Sequence, residues 1–244
     1  MRSWKFIALT ALATLAMPAG AAPPILHAVP GAVALALTPG TSRLTDQARV
    51  YVPKSVANPA PLIVVLRGSS QDPDDMFSMM KPEADRQGAI MLSLEPTDGK
   101  WTLKPGAAPG DADFGKDPAA LDAALTALFA KAPVDPARTV ILGYADGASY
   151  ALSLGITNPK LFRGVVALSP GTAWLPSSVD RAQKVFIMHG MRDEVYPFAN
   201  TRDTIVPGLQ SAGLQVKTRW LNAGHDIERR MIREGLDETL GAAR

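Results

Sequence analysis

The stretch 140–149, with the sequence VILGYADGAS, constrains the fold more than any other part of the chain. It begins with three aliphatic residues, continues with Gly143 and Gly147 separated by three residues, and then enters a helical pattern. This order predicts a strand, a tight turn and a helix. It matches a Gly-x-Ser-x-Gly turn, in which a strained backbone lifts a serine to the top of a sheet. The middle residue here is Ala145, so the predicted turn presents a side chain that cannot act as a nucleophile.

The remainder of the sequence alternates between candidate strands and candidate helices. A continuous aliphatic run such as 62–66 is typical of a strand buried on both faces of a parallel sheet. The segment 48–53 suits a short outer strand, and 32–37 suits either an edge strand or a loose lead-in. The other predicted strands are 89–96, 139–142, 162–168, 184–188 and 215–221, and the predicted helices are 74–86, 117–131, 146–156, 200–212 and a last one from about 226. This alternation predicts an α/β fold with a mostly parallel central sheet and helices on both faces.

Two chemically active side chains follow the later predicted strands. Asp193 comes just after strand 184–188, and His225 comes just after strand 215–221. Ligands of open α/β sheets bind at the carboxyl ends of the strands, so these two side chains should meet there. An acid and then a histidine, both downstream of the turn, follow the chain order Ser…Asp…His of a known catalytic triad. In that triad the acid orients the imidazole, and the imidazole takes the proton of the serine. Taken singly, Asp193 could also be a solvated loop acid or could pair with Arg192, and His225 could be a neighbour of a helix N-cap.

An oxyanion hole would need two backbone N–H groups aimed at the developing negative charge. We expect one from Asp146, the residue after the nucleophile position, and the other from Ser69, in the loop after strand 62–66. Backbone donors survive most side-chain changes, so this part of the site could be intact.

At this point the sequence resembles a known family. Residues 143–155, 162–171 and 189–195 look like bacterial phospholipase/carboxylesterase-type α/β-hydrolases, and the similarity runs from about residue 61 to the C-terminus. The resemblance implies cleavage of carboxylic esters through an acyl-serine intermediate. It also implies that Asp193 and His225 complete a triad, and that neither a metal nor an organic cofactor takes part.

The chain departs from this family pattern at two places. Ala145 stands where the family has serine, and Arg67 stands where it usually has the histidine of a His-Gly pair. We expect Arg67 to place a cation beside the oxyanion loop, where it could hold a carboxylate. Tyr144 is a further predicted substrate-binding residue. Trp101 lies in the long loop 97–116 and either lines the acyl pocket or anchors that loop.

The N-terminus has the pattern of an export signal. Arg2 and Lys5 precede an apolar stretch from 6 to 17, and small residues at 19–21 fit a cleavage site. We therefore interpret residues 1–21 as a signal peptide, and residues 22–244 as a single α/β-hydrolase domain without a membrane anchor. The apolar stretch is shorter than the roughly 20 residues that a membrane span needs. The expected location is the periplasm or the outside of the cell.

Charge and cysteine content exclude several kinds of partner. The chain has 25 basic and 23 acidic residues. Removing 1–21 takes away two bases and no acid, which leaves 23 of each. A neutral chain gives no electrostatic reason to expect nucleic acid as a partner. There is no cysteine, and the three histidines lie too far apart in sequence to suggest a zinc motif.

Two hypotheses of function remain at this stage. In the first, the chain is an exported serine-esterase-like hydrolase whose nucleophile has been replaced, so that a parent with serine at position 145 is active. In the second, it is a natural pseudo-hydrolase that binds a small-molecule ester or carboxylate. The second departure, at Arg67, favours the second hypothesis, because one replacement at position 145 would not alter both motif positions.

Overall fold

The central element of the fold is a β-sheet, seen in a computed structural model that describes residues 25–105 and 112–242. Within these residues the strands are β1 (Gly40–Arg43), β2 (Ala48–Val52), β3 (Ala60–Leu66), β4 (Ile90–Leu94), β5 (Lys104–Pro105), β6 (Ala112–Asp113), β7 (Val134–Tyr144), β8 (Gly164–Leu168), β9 (Lys184–Gly190) and β10 (Gln215–Leu221). Eight of them form one sheet in the order β1-β2-β4-β3-β7-β8-β9-β10. The pairs β1–β2 and β2–β4 are antiparallel, and all others in this sheet are parallel. The pair β5–β6 forms a separate antiparallel ladder.

Helices cover both faces of the sheet. They are α1 (Pro73–Gln87), α2 (Asp117–Phe129), α3 (Asp146–Thr157), α4 (Phe198–Asn200), a π-helical turn (Thr201–Ile205), α5 (Val206–Ser211) and α6 (Arg229–Leu240). The apolar residues of α1 and α6 belong to one core cluster, and those of α2, α3 and α5 belong to another. The fold predicted from the alternation of strands and helices is therefore confirmed.

Strand β3 shows why the central strands contain continuous aliphatic runs. Leu62, Val64 and Leu66 pack in the core on the side of α2 and α3, while Ile63 and Val65 pack in the core on the side of α1 and α6. Successive side chains of a strand point to opposite faces, so a sheet covered by helices on both faces buries all of them.

The antiparallel edge differs from the sequence prediction. The outermost strand on this side is β1, which the sequence did not predict, and the predicted outer strand β2 lies between β1 and β4. Residues 32–37 form no strand and are a lead-in. Strand β1 reads GTSR and is largely exposed, so it lacks the apolar pattern by which a strand is recognised. At the other end of the chain, the last helix begins at Arg229, three residues later than predicted.

The first described residues are held by two polar side chains. Asn158 Oδ1 accepts hydrogen bonds from the N–H groups of Ile25 and Leu26 at 3.0 and 2.9 Å. Asp122 Oδ1 accepts from the next two N–H groups at 2.7 Å each. Asn158 is buried and also donates through Nδ2 to the Leu154 carbonyl at 2.8 Å. This one amide therefore ties the N-terminal segment to the end of α3.

We expect Asn158→Ala to lower the free energy of unfolding by about 1–3 kcal/mol, because it leaves buried backbone donors without an acceptor. Urea unfolding followed by circular dichroism measures the change. Asn222→Ala is the matched control, since Asn222 is exposed. Equal destabilisation by the two variants would contradict an anchoring role for Asn158.

Candidate functional site

Four of the site residues predicted from the sequence lie in connections at one edge of the sheet. Ser69 follows β3, Ala145 joins β7 to α3, Asp193 follows β9 and His225 follows β10. These strands run parallel, so their carboxyl ends meet at the same edge, where α/β folds bind ligands.

Ala145 occupies a strained turn between strand and helix. Its backbone has φ 57° and ψ −122°, and only it and Ser169 have positive φ among the non-glycine residues that the structure describes. Such a conformation costs on the order of 1–3 kcal/mol and persists only where the surroundings enforce it. The Ala145 N–H donates to the Leu168 carbonyl at 2.9 Å, which fixes the turn to β8.

The two glycines of the turn are required by close backbone contacts. A Cβ at Gly143 would overlap the carbonyl of Gly147, and a Cβ at Gly147 would overlap the carbonyl oxygens of Leu66 and Arg67. The spacing seen in the sequence is thus the spacing that brings the start of α3 against the end of β3.

Asp193 and His225 form a hydrogen-bonded pair. His225 Nδ1 lies 2.6 Å from Asp193 Oδ2, and the other carboxylate oxygen accepts the N–H groups of Val195 and Tyr196 at 2.9 and 2.8 Å. Burial alone would raise the pKa of Asp193, but the hydrogen bonds from His225 and from Tyr196 N–H outweigh it and hold the pKa below its ordinary value. An ionised Asp193 accepts a proton-bearing Nδ1, so Nε2 of the neutral imidazole is left able to take a proton.

Two tyrosines hold the imidazole of His225. Its ring centroid lies 4.9 Å from that of Tyr144 and 5.5 Å from that of Tyr196. The Tyr144 hydroxyl donates to the backbone carbonyl of His225 at 2.8 Å. Burial, followed by the charges of Asp193 and Asp226, raises the pKa of Tyr144 to about 12, so this donor stays protonated. Tyr144 was predicted to bind substrate, and in the structure it contacts His225. Tyr196 was not predicted, although it lies three residues after Asp193.

His189 is a further residue that contacts the acid. Its Nε2 lies 2.9 Å from the Tyr196 carbonyl and 3.2 Å from Asp193 Oδ2, and the side chain is fully buried. A carbonyl requires a donor, which assigns the proton to Nε2. Burial lowers the pKa of His189, so the neutral ring is favoured.

The predicted oxyanion residues contact each other. The Ser69 N–H donates to Asp146 Oδ1 at 2.8 Å, and the Ser69 hydroxyl donates to Asp146 Oδ2. The neighbouring Gly68 N–H donates to Gln71 Oε1 at 3.0 Å. The N–H of Ser69, expected to face a ligand, is therefore bound by a side chain of the same protein.

Arg67 has a different environment from the one expected. Its side chain is about 10% exposed, and Nε pairs with Glu95 at 2.6 Å. Nη1 donates to the carbonyl oxygens of residues 68, 69 and 71 at 2.9, 2.9 and 3.1 Å. The sequence prediction of a cation offered to a ligand carboxylate needs correction, because this guanidinium holds the loop together and its charge is opposed by Glu95.

Of the two interpretations of Trp101, its contacts agree with the one in which it anchors the long loop. It is 7% exposed, its Nε1 donates to the Arg67 carbonyl at 2.8 Å, and its ring lies 5.0 Å from that of Tyr150. These contacts anchor the long loop to the end of β3.

Other groups near the turn have structural partners. Ser149 Oγ accepts the N–H groups of Gly171 and Thr172 at 2.9 and 3.2 Å, so it joins α3 to the loop after β8. Within residues 25–105 and 112–242, no three histidine, aspartate or glutamate side chains come together in a way that could hold a metal ion. None of the helices in that same part of the chain has the length and apolar character needed to span a bilayer.

Comparison with known proteins places this site in context. A sequence profile of the phospholipase/carboxylesterase family matches residues 109–237, which is more than half of the chain. The protein named "Putative esterase NocK" of Nocardia uniformis subsp. tsuyamanensis is 29% identical over 146 residues. That match covers 57% of this chain and only 41% of NocK.

Two solved structures illustrate the similarity of fold. A carboxylesterase from Mesorhizobium loti is 21% identical with a TM-score of 0.56, covering 80% of this chain and 97% of its own. An acetyl xylan esterase from Aspergillus awamori is 15% identical with a TM-score of 0.61, and the match covers 78% of this chain and 93% of that esterase.

We expect His189 to make folding stability depend on pH. Its pKa is lowered in the folded protein, so between that value and the ordinary value near 6.5 the unfolded chain binds more protons. Stability contributed by the neutral ring is therefore complete above about pH 6.5 and declines as the pH falls from there through the lowered pKa. His189→Gln keeps an N–H donor without a titrating ring and should flatten this decline in urea unfolding. His27→Gln, at an exposed position, is the control, and a decline unchanged by His189→Gln would contradict the assignment.

Proposed function

This chain belongs to the phospholipase/carboxylesterase family of α/β-hydrolases, and on that basis we propose that it is an exported pseudo-esterase that binds an ester without cleaving it. Ala145 stands at the nucleophile position. Asp193 and His225 are the acid and base that would serve a serine there.

One observation carries this proposal. The strained conformation of Ala145, with φ 57°, serves in related folds to present a reactive side chain, and it is retained here without one. At the same sheet edge, His225 Nδ1 lies 2.6 Å from Asp193 Oδ2, and Tyr144, next to Ala145 in the chain, contacts the His225 ring. A backbone that stores strain and a pair that orients a base are together the parts of an acyl-transfer site.

The absence of a hydroxyl at position 145 removes the covalent step. In a serine hydrolase, loss of the nucleophile lowers kcat by about 10⁶-fold, while binding and oxyanion contacts leave a residual acceleration of roughly 10³–10⁴ over water. The acyl-serine route of the family therefore needs a serine at position 145, where this chain has alanine.

The charges of the site favour a neutral ester over a carboxylate ligand. Asp146 and Asp193 contribute two carboxylates, while Arg67 is bound to Glu95 and to loop carbonyls. A carboxylate ligand would be repelled by these like charges while Arg67 is held by other partners, whereas an uncharged ester would meet no such repulsion.

Export rests on the N-terminal sequence. Residues 1–21, interpreted as a signal peptide, lie outside the described residues. Arg2 and Lys5 before an apolar stretch and a small-residue cleavage site support delivery to the periplasm or beyond the cell.

A second candidate function is that of an exported esterase that is active in a parent with serine at position 145, where this chain has alanine. The Asp193–His225 pair favours it, because a pair without a nucleophile to serve has no catalytic use. The two candidates share the assignment of the site and differ in whether the natural residue at position 145 is serine.

We expect Ala145→Ser to create esterase activity towards p-nitrophenyl butyrate. Restoring the nucleophile can raise kcat by up to about 10⁶-fold, and an imperfect oxyanion hole lowers kcat by about 10²–10³-fold. We therefore expect a net rise in kcat of about 10³-fold or more. Ala145→Ser combined with His225→Ala is the control and should return to the rate of the parent. Equal rates with and without His225, in protein with an unchanged circular dichroism spectrum, would contradict the assigned base.

We expect the unaltered Ala145 protein to be stabilised by ethyl butyrate or a longer-chain ester. A ligand that binds only the folded state adds about 2.7 kcal/mol at 100 times its Kd, and thermal unfolding measures this as a rise in Tm. Sodium butyrate is the charged control and should produce a smaller rise. A flat response to a series of esters would count against a binding function.

A further inference from the structure

We propose that the carboxylate of Asp146 occupies the oxyanion site, so that this chain carries a second block on acyl transfer besides Ala145. The inference rests on the proposed function, since it concerns the same site. It identifies Asp146 as a residue that excludes negative charge from the site.

The hydrogen bonds of Ser69 are the main evidence. An oxyanion hole needs donors about 2.7–3.1 Å from the oxygen on which charge develops. Asp146 Oδ1 accepts a hydrogen bond from the Ser69 N–H at 2.8 Å, which is within that range, and Asp146 Oδ2 accepts a hydrogen bond from the Ser69 hydroxyl. A substrate oxygen can use this N–H only if the carboxylate leaves it.

The position of the loop supports the same conclusion. Gly68 lies directly against the turn, since a Cβ at that residue would come within 3.3 Å of the Ala145 Cβ. Gly147 is packed against the carbonyl of Arg67, so the start of α3 and the loop after β3 are in contact. The Ser69–Asp146 hydrogen bonds therefore bridge the two segments between which a tetrahedral intermediate would lie.

The neighbouring charges do not offset this carboxylate. Arg67 is the cation of the loop, yet its Nε pairs with Glu95 at 2.6 Å and its Nη1 binds three loop carbonyls. A tetrahedral intermediate would place its negative charge beside a second negative charge. Restoring serine alone therefore gives a nucleophile without a complete oxyanion hole.

The test measures hydrolysis of p-nitrophenyl butyrate in the Ala145→Ser background. Adding Asp146→Ala frees the Ser69 N–H and should raise kcat by about 10²-fold, the effect of one oxyanion donor, with a smaller change in KM. Adding Asp146→Asn should give a much smaller gain, because the amide oxygen can still accept from Ser69. Asp75→Ala, at an exposed position in the first turn of α1, is the matched control and should not change kcat.

The outcomes separate the two proposals. If Asp146 had only a structural role, its removal would lower kcat. A rise in kcat therefore supports the proposal that its carboxylate occupies the oxyanion site. If Ala145→Ser protein is active and Asp146→Ala leaves kcat equal or lower, the block is overturned and the proposed function stands. If both the single and the double variants are folded and hydrolyse no ester, the assignment of an acyl-transfer site to position 145, Asp193 and His225 fails, and this inference fails with it, whereas ester binding by the unaltered protein is tested separately by thermal unfolding.

Discussion

The close approach of α3 to the end of β3 is the constraint on which the site depends. A side chain at position 147 would overlap the carbonyl oxygens of Leu66 and Arg67, so only glycine permits this contact. The contact fixes where the turn at Ala145 lies and sets the loop after β3 against it. It also explains why the strained φ of Ala145 persists, since the strand before it and the helix after it are both held by packing.

The second organising interaction is the cluster of donors around Asp193. Two backbone N–H groups bind one carboxylate oxygen, and His225 and His189 contact the other. These donors stabilise the ionised acid against the cost of burial, and the ionised acid in turn fixes the tautomer of His225. The loops after β9 and β10 are coupled as well, because the Met191 N–H donates to the Leu221 carbonyl at 2.7 Å.

The oxyanion region has a different character from the acid–base pair. Of the two N–H groups expected to face a ligand, those of Asp146 and Ser69, the one of Ser69 is bound to the Asp146 carboxylate, and the neighbouring Gly68 N–H is bound to Gln71. Arg67 and Trp101 stabilise this loop, because the Arg67 guanidinium donates to the Gly68 carbonyl and the Trp101 indole donates to the Arg67 carbonyl. The proposed site thus combines a hydrogen-bonded acid–histidine pair with a carboxylate that accepts from one of the two expected oxyanion donors.

The sequence by itself determined the fold class and the positions of the site loops. Aliphatic runs and helical patterns recur with fixed periods, and the glycine spacing at 143 and 147 reflects a local backbone requirement, so all three are readable without a structure. Strand β1 escaped prediction because its GTSR sequence is polar and its pairing with β2 is a tertiary contact. Likewise, only the folded chain decided that Arg67 pairs with Glu95 and that Asp146 binds Ser69. Residues 67 and 95 are 28 positions apart and residues 69 and 146 are 77 apart, and no local periodicity specifies which of several charged groups meet across such separations.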